Sequence, residues 1–541
     1  MARYALDIET NMQHSEIWLA CCADLDTGEM TCHREPASLR SVLADASLIC
    51  AHNGVAFDLA MLNRLWSMEI PLSLCEDTLL MSRLLNPAMA GGHSLEAWGQ
   101  RLKFPKSEFN DFDSGWSQEM EDYCKQDVRL LMKVHKSVRQ GLADAKFSEQ
   151  SIRLEHDVAI IIEAQVRRGV AFDNINAQTM MEGMQLEFDD LLARLHIAFP
   201  PAPLEMKTKT KYIEFNPGSR VQIGKRLQAL GWKPTELTET GRPKIDEETL
   251  KGSKIPEVKL IQRYLLLEKR IGQLRQWIEA TKDGRIHGKV ITNGAITSRM
   301  THMSPNLGQV PNSGSEYGPE CRDLFHPSEG KVLVGADAKG LELRMLAHYM
   351  NDPDYTHLVC EGDVHEKNRV AAGLPTRDNA KTFIYGYLYG AGDEKIGKIV
   401  GGTKKTGAKL KAQFLANTPA LVALKRKLKP YADKGYMPGL DGRKIWVRHQ
   451  HAALNTLLQG AGAIVMKQAL VIADKRLREA GIPPDFVLNV HDEFQMEADP
   501  EVANQAGLIL VAAIVEAGVT LNLRCPLDGD FKVGKSWKET H

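Results

Sequence analysis

The sequence predicts a multidomain α/β protein, and three observations carry that reading. The chain has 541 residues, more than one hydrophobic core organises, so three or four domains are expected. Apolar runs of strand length near both ends stop abruptly at carboxylates. Between them, apolar residues recur at a helical period.

Composition narrows the class. With 43% apolar and 25% charged residues the chain reads as an ordinary globular protein. A formal net charge of −1 means that any basic binding surface is local. Nine scattered cysteines without a Cys-x-x-Cys pair predict reduced thiols, no disulfide framework and no zinc cage. No apolar run approaches the roughly 18–20 residues that span a bilayer, the longest being broken by Glu516. Asp7 and Glu9 interrupt the start too early for a signal peptide.

The first strand, Tyr4 to Thr10, carries Asp7 and Glu9 two residues apart and therefore on one face. Ile17 to Cys21 is its hairpin partner, Ser47 to Asn53 a further strand, and the Gly54–Leu59 segment with Phe57 and Asp58 opens a helix. Tyr123 and Asp127, four apart, share one side of another helix. Asp-x-Glu, then Asn-x-x-x-Phe-Asp, then Tyr-x-x-x-Asp, in that order, resembles the tyrosine subclass of DEDD-type 3′–5′ exonucleases. Four carboxylates, Asp7, Glu9, Asp58 and Asp127, can hold two divalent ions, one activating water and one stabilising the leaving oxygen. The resemblance implies that Tyr123 orients that water. Gly92 to Trp98 also recurs in that family and is read as packing.

From Ser151 the pattern is helical as far as Gly169, a natural stop. Further helices are expected over 180–197, between Ser219 and Gly231, and over 256–281. The basic stretch Lys207 to Lys211 is either a phosphate-contacting tip or a solvated loop.

The second half carries the more specific patterns. Lys331 to Asp337 reads as a buried strand ending in an acid, and Phe486 to Val490 as another that ends in His491, Asp492 and Glu493. Adjacent carboxylates beside buried backbone are costly unless a cation meets them. If Asp337 and Asp492 converge, they form an all-oxygen site suited to magnesium rather than zinc. The alternative is a polar hairpin turn. Between these strands, Thr376 caps a helix that ends at Gly390. Arg377, Lys381, Tyr385 and Tyr389 form one stripe on it, opposite Phe383, Ile384 and Leu388. Two cations a turn apart, followed by aromatics, suit a triphosphate with a sugar and base behind it.

Asp337 to Arg344, Arg377 to Gly390 and Val490 to Glu493 resemble motifs A, B and C of family A DNA polymerases, in particular the replicative branch of podovirus-type bacteriophages. The resemblance implies an RNase H-like exonuclease domain over 1–145, followed by a right-hand polymerase. Its thumb would span 146–285, its fingers 351–449, and its palm, with an antiparallel sheet, 286–350 and 450–541. It implies DNA-directed DNA synthesis from dNTPs on primer-template DNA, with 3′–5′ proofreading. Asp337, Asp492 and the carbonyl of Ala338 would hold two Mg2+, with Mn2+ able to substitute. Arg377, Lys381 and His365 would hold the triphosphate, Lys381 also protonating pyrophosphate. Tyr385 would pack on the sugar, Tyr389 near the templating base, and Glu342 where a ribose 2′-hydroxyl would sit. Arg299, Asn455, Gln459 and His491 would touch the minor groove. The expected setting is the cytoplasm of an infected bacterium and the expected state a monomer, with a phage helicase-primase or single-strand binding protein as possible partners and no membrane.

Two patterns are read as decoys. Gly529 to Ser536 fits the P-loop expression but has no room for the helix a P-loop needs, and His449 with His451 lacks a third ligand. Between Ile197 and Phe215 there is no insertion of the kind that captures thioredoxin. The rival readings are a gap-filling enzyme and a catalytically decayed DNA-binding protein on the same fold.

Overall fold

A computed structural model describes residues 2–205, 210–238 and 240–541. The chain opens with a five-stranded sheet in the order Met30–His33, Ile17–Asp24, Ala2–Thr10, Ala46–Ala51, Cys75–Asp77. The first three strands are antiparallel, and the last two run parallel to Ala2–Thr10. Alternation along the central strand decides what each side covers. Ala5 packs towards the helix Gln118–Asp144, while Leu6 and Ile8 pack towards the helix Asp58–Leu65. Asp7 and Glu9 have the parity of Ala5, so the first strand aims both acids at the longer helix.

One expectation fails in this sheet. Cys21 and Cys32 form a disulfide, with their Cα atoms 4.2 Å apart, while the other seven cysteines are free. The two lie directly opposite each other on neighbouring antiparallel strands. Spacing along the chain does not reveal that register.

The helix Glu149–Arg168, capped by Ser148 and ended by Gly169 at φ 68°, joins this unit to the rest. Consecutive side chains hold its two flanks. The ring of His156 accepts the Asp77 amide at 2.8 Å on the first domain. Glu155 takes the Lys467 ammonium at 2.6 Å on the second. Beyond it, helices Asn174–Ala198 and Pro256–Ala280 pack on each other and carry a separate core around Leu195, Phe215, Ile223 and Trp232. The first begins earlier than its periodicity suggests, because Asp173 caps it by accepting the Asn176 amide. Strands Ala202–Glu205 and Thr210–Ile213 pair antiparallel. The basic stretch between them lies for the most part outside the described residues.

A second, antiparallel sheet runs in the order Asp485–Val490, Glu493–Ala498, Val332–Ala338, Gly529–Gly534. The glycine-rich P-loop look-alike is thus the edge strand of this sheet. Helices Ala453–Glu479 and Ala503–Thr520 pack on each other, and the second also packs on the sheet. Contrary to the sequence reading, the segments Gln450–Glu479 and Ala503–Thr520 are long and apolar enough to cross a membrane by length and composition. The tested window of the first is 83% buried inside the fold, as in a core helix. Its few charges, including Lys467, hide the continuous apolar run in a residue-by-residue reading.

Candidate active sites

The second sheet brings Asp337 and the acids of the hairpin together. Asp337 stands opposite Glu493 on one side and Asp530 on the other. Val490 pairs with Glu493, leaving His491 and Asp492 as the turn, with His491 at φ 59°. The Ala338 amide donates to the Asp492 carbonyl at 3.1 Å. The polar hairpin turn and the acidic site are therefore the same structure. Burial, then Glu342 and Asp337, push the Asp492 carboxyl up to about 6. Asp337 is raised by burial and by Glu493. Such convergence of oxygens against their own electrostatics fits a hard divalent cation.

Glu493 is differently placed. Burial pushes its carboxyl up, but His541 and the donors on Gln495 and Trp537 outweigh that and hold it below the usual range. Trp537 Nε1 donates at 2.6 Å, Gln495 Nε2 at 2.5 Å, and His541 Nδ1 lies 2.9 Å away. Trp537 and His541 carry no mark in the sequence, since only the fold of the chain end returns them to Glu493.

Glu342, in the first turn of the helix Leu341–Met350, is a hub. Its Oε1 accepts from the Tyr389 hydroxyl at 2.9 Å and from Arg299 Nη2 at 3.2 Å. The helix Arg377–Leu388 is capped by Thr376, whose hydroxyl accepts the Asn379 amide at 3.1 Å. Phe383, Ile384 and Leu388 are buried, and Arg377, Lys381 and Tyr389 are exposed. Tyr385 is raised by burial, then by Glu342 and Asp492. Arg377 reaches Asp363 at 2.7 Å. His365 has its ring 6.3 Å from that of Tyr385 and is pushed down by burial, Arg377 and Lys381. Its Nδ1 is buried without a hydrogen-bond partner. Asn455 and Gln459 lie one turn apart on the helix Ala453–Glu479, half-buried. Neither has a hydrogen-bond partner among the described residues.

The first domain holds the other site. Asp7, Glu9 and Cys124 bring ligand atoms within 4.8 Å of one another. Cys124 lies a turn before Asp127 on one flank of the helix Gln118–Asp144, with Tyr123 next to it. Asp58 begins its helix, buried, and accepts the Ile8 amide. Burial and neighbouring acids push Asp7 up to about 7 and Glu9 to about 9 and raise Asp58, while burial alone raises Asp127 against the pull of Lys106. Burial also pushes the Cys124 thiol well up, so it stays protonated and the donor set is carboxylate oxygen. Asp127 Oδ1 is buried without any partner. Four frustrated carboxyls and one orphaned oxygen are what divalent cations would satisfy.

Lys106, absent from the sequence reading, pairs with Asp127 Oδ2 at 2.5 Å and lies 4.9 Å from the centre of the Tyr123 ring. It sits in an irregular loop where no periodicity marks it. Asp77 was also missed. It accepts the amides of Asn53 at 3.0 Å and Val55 at 3.3 Å, shaping the turn that delivers Asp58. Trp98 is buried, donating to Ser82 at 3.0 Å, as the packing reading expects. His449 and His451 stack with ring centroids 5.3 Å apart on the exposed surface.

A family model described as DNA polymerase family A matches residues 201–539. The DNA-directed DNA polymerase of Enterobacteria phage T3 is 33% identical, covering 93% of this chain and 94% of its own length. That of Escherichia phage T7 is also 33% identical and covers 99% of both. Among solved structures, the POL domain of Pol1 from M. smegmatis, in complex with DNA primer-template and dNTP, shares the fold. Its TM-score is 0.82 at 20% identity, over 99% of this chain and 96% of that one.

Proposed function

The chain belongs to DNA polymerase family A, and from that premise we propose how its two acidic sites divide the work of a DNA-directed DNA polymerase. The second sheet extends a primer on a template with dNTPs, and the first domain removes mismatched 3′ ends. The observation that carries the first assignment is the antiparallel register that sets Asp337 beside the Asp492–Glu493 hairpin.

In this reading Asp337 and Asp492, with the Ala338 carbonyl, hold magnesium. When bound, the ions make the primer 3′-hydroxyl more acidic and neutralise charge on the transferred phosphate. The chain's own groups supply the rest. Lys381 and Arg377 grip the triphosphate, Arg377 exchanging its exposed pairing with Asp363 for phosphate oxygens, and Lys381 gives a proton to departing pyrophosphate. His365, its pKa lowered by burial and then by Arg377 and Lys381, offers a further hydrogen bond. Tyr385 packs on the sugar. Tyr389 and Arg299 pin Glu342 where a ribose 2′-hydroxyl would otherwise fit. Arg299, His491, Asn455 and Gln459 face the minor groove, where acceptors common to all base pairs permit checking of geometry without reading sequence.

The editing assignment rests on the carboxyls of Asp7, Glu9, Asp58 and Asp127, with Tyr123 orienting the attacking water. Lys106 holds Asp127 and the Tyr123 ring in place until an ion takes over. Likeness to the T3 and T7 enzymes supports a replicative role in an infected bacterial cell.

The test is gel analysis of matched and mismatched primers with and without Mg2+. Metal-dependent extension together with removal of the mismatched terminus is expected. Extension without any removal would sink the editing half, and neither activity would sink both.

A further inference from the structure

Between the two domains lies a cleft of about 660 Å³, within the range of small-ligand sites, whose polar groups neither acidic site employs. Its first wall is the turn from His52 to Phe57 with the helix Thr78–Leu85. Its second is the strand Lys289–Ile291 with Thr292, and the helix Glu149–Arg168 closes the base.

Two cations face this space, Arg83 and Lys289. Among the described residues neither has a carboxylate at ion-pair distance. The acid that acts on Arg83 is Asp77, and its two oxygens are committed to the backbone amides of Asn53, Leu79 and Val55. Uncompensated polar atoms collect in the same place. Thr292 is 4% exposed, lines the cleft, and its hydroxyl has no partner. The Thr78 hydroxyl donates to the Ala51 carbonyl, so His52 Nδ1 donates to Thr78 at 2.8 Å and its buried Nε2 is left as an unpartnered acceptor. Glu163 also faces the cleft, and burial pushes its carboxyl up to about 7, so near neutrality it can donate as well as accept.

A half-buried guanidinium without a counter-ion costs free energy that a bound anion returns. Two cations with a hydroxyl make a donor set for phosphate oxygens. Place in the chain adds to this. One wall leads directly into Asp58, and the other leads through a hairpin towards Arg299 and His302. We propose that this interdomain cleft binds a phosphate of a nucleotide unit, gripped by Arg83 and Lys289 with the Thr292 hydroxyl donating. The phosphate is either a phosphodiester of a single DNA strand passing between the acidic sites or that of a free nucleotide. Only the first source rests on the editing assignment above.

The test uses the full chain in EDTA, where neither acidic site turns over. Fluorescence anisotropy reports binding of labelled oligo(dT) as a function of salt, and saturation-transfer NMR reports dTMP. For a strand, Arg83→Ala and Lys289→Ala are each expected to weaken oligo(dT) about tenfold. Each should also reduce the log–log salt slope by about 0.7. For a free nucleotide, a dTMP signal present in wild type disappears in Arg83→Ala. Unchanged oligo(dT) affinity, slope and dTMP signal in both variants would overturn the proposal. Lys289 is exposed, so its variant keeps the test valid if Arg83→Ala melts early. Normal Arg83-dependent binding in a chain that degrades no DNA would remove the editing assignment and leave the cleft standing.

Discussion

The backbone amide of Ala338 donates to the carbonyl of Asp492 over 3.1 Å, so the peptide next to one acid of the second sheet's site is bonded to the other acid's own peptide. Asp337 and Asp492 cannot separate without opening the central pair of the second sheet. Their partial desolvation and repulsion are held by ladder hydrogen bonds rather than by a side-chain cation. The site is thus prepared before an ion arrives.

Replacing Asp7 and Glu9 together with Ala is expected to abolish removal of mismatched primer ends, a loss of about 10³-fold or more, while matched extension persists. The two acidic sites sit on separate sheets. Parallel assays on 3′-labelled mismatched and matched primers check this, and loss of both activities would contradict the division.

The metal-free protein should lose stability as pH rises. In the unfolded chain Asp7 and Glu9 titrate near 4; in the fold they rise to about 7 and about 9. Between roughly 4 and 9 the folded state binds more protons, so unfolding becomes easier with increasing pH. Calorimetry in EDTA should give a lower Tm for the first domain at pH 9 than at pH 6. Mg2+ should restore more at pH 9, and Asp7→Asn should raise the metal-free Tm there.

Glu342→Ala removes the acceptor shared by Tyr389 and Arg299. Ribonucleotide incorporation relative to deoxyribonucleotide is expected to rise about tenfold or more, read from kcat/KM for matched ATP and dATP pairs. An unchanged ratio would mean that Glu342 only ties the helices together.

Much of this was legible in the chain because the signals are local. A period of two puts Asp7 and Glu9 on one face, and a spacing of four puts Tyr123 and Asp127 on one flank. The cap at Thr376 and the apolar set Phe383, Ile384 and Leu388 fix how the cationic helix turns. What was not legible depends on contacts between distant segments. Lys106 reaches Asp127 from a loop, His541 returns beneath Asp337 along the sheet edge, and Cys21 meets Cys32 through strand register.

Glu155 illustrates the same limit and yields a further expectation. Arg443 and Lys467, both buried, converge on it, and Asp441 completes the network at 2.7 Å from Arg443. Burial pushes the Lys467 ammonium down to about 8 despite its pairing with Glu155. Glu155→Ala leaves two buried cations under-compensated and is expected to cost about 3–5 kcal/mol, read as a lower urea midpoint for the second domain. A loss below ~1 kcal/mol would show that water or rearrangement replaces the carboxylate.

The most direct measurement is single-turnover primer extension by wild type, Asp337→Asn, Asp492→Asn and the double variant at fixed Mg2+. If the two carboxylates act as one metal-holding unit, each single change loses about as much as both together. Near wild-type extension by either single variant, or losses that simply multiply in the double, would contradict that account.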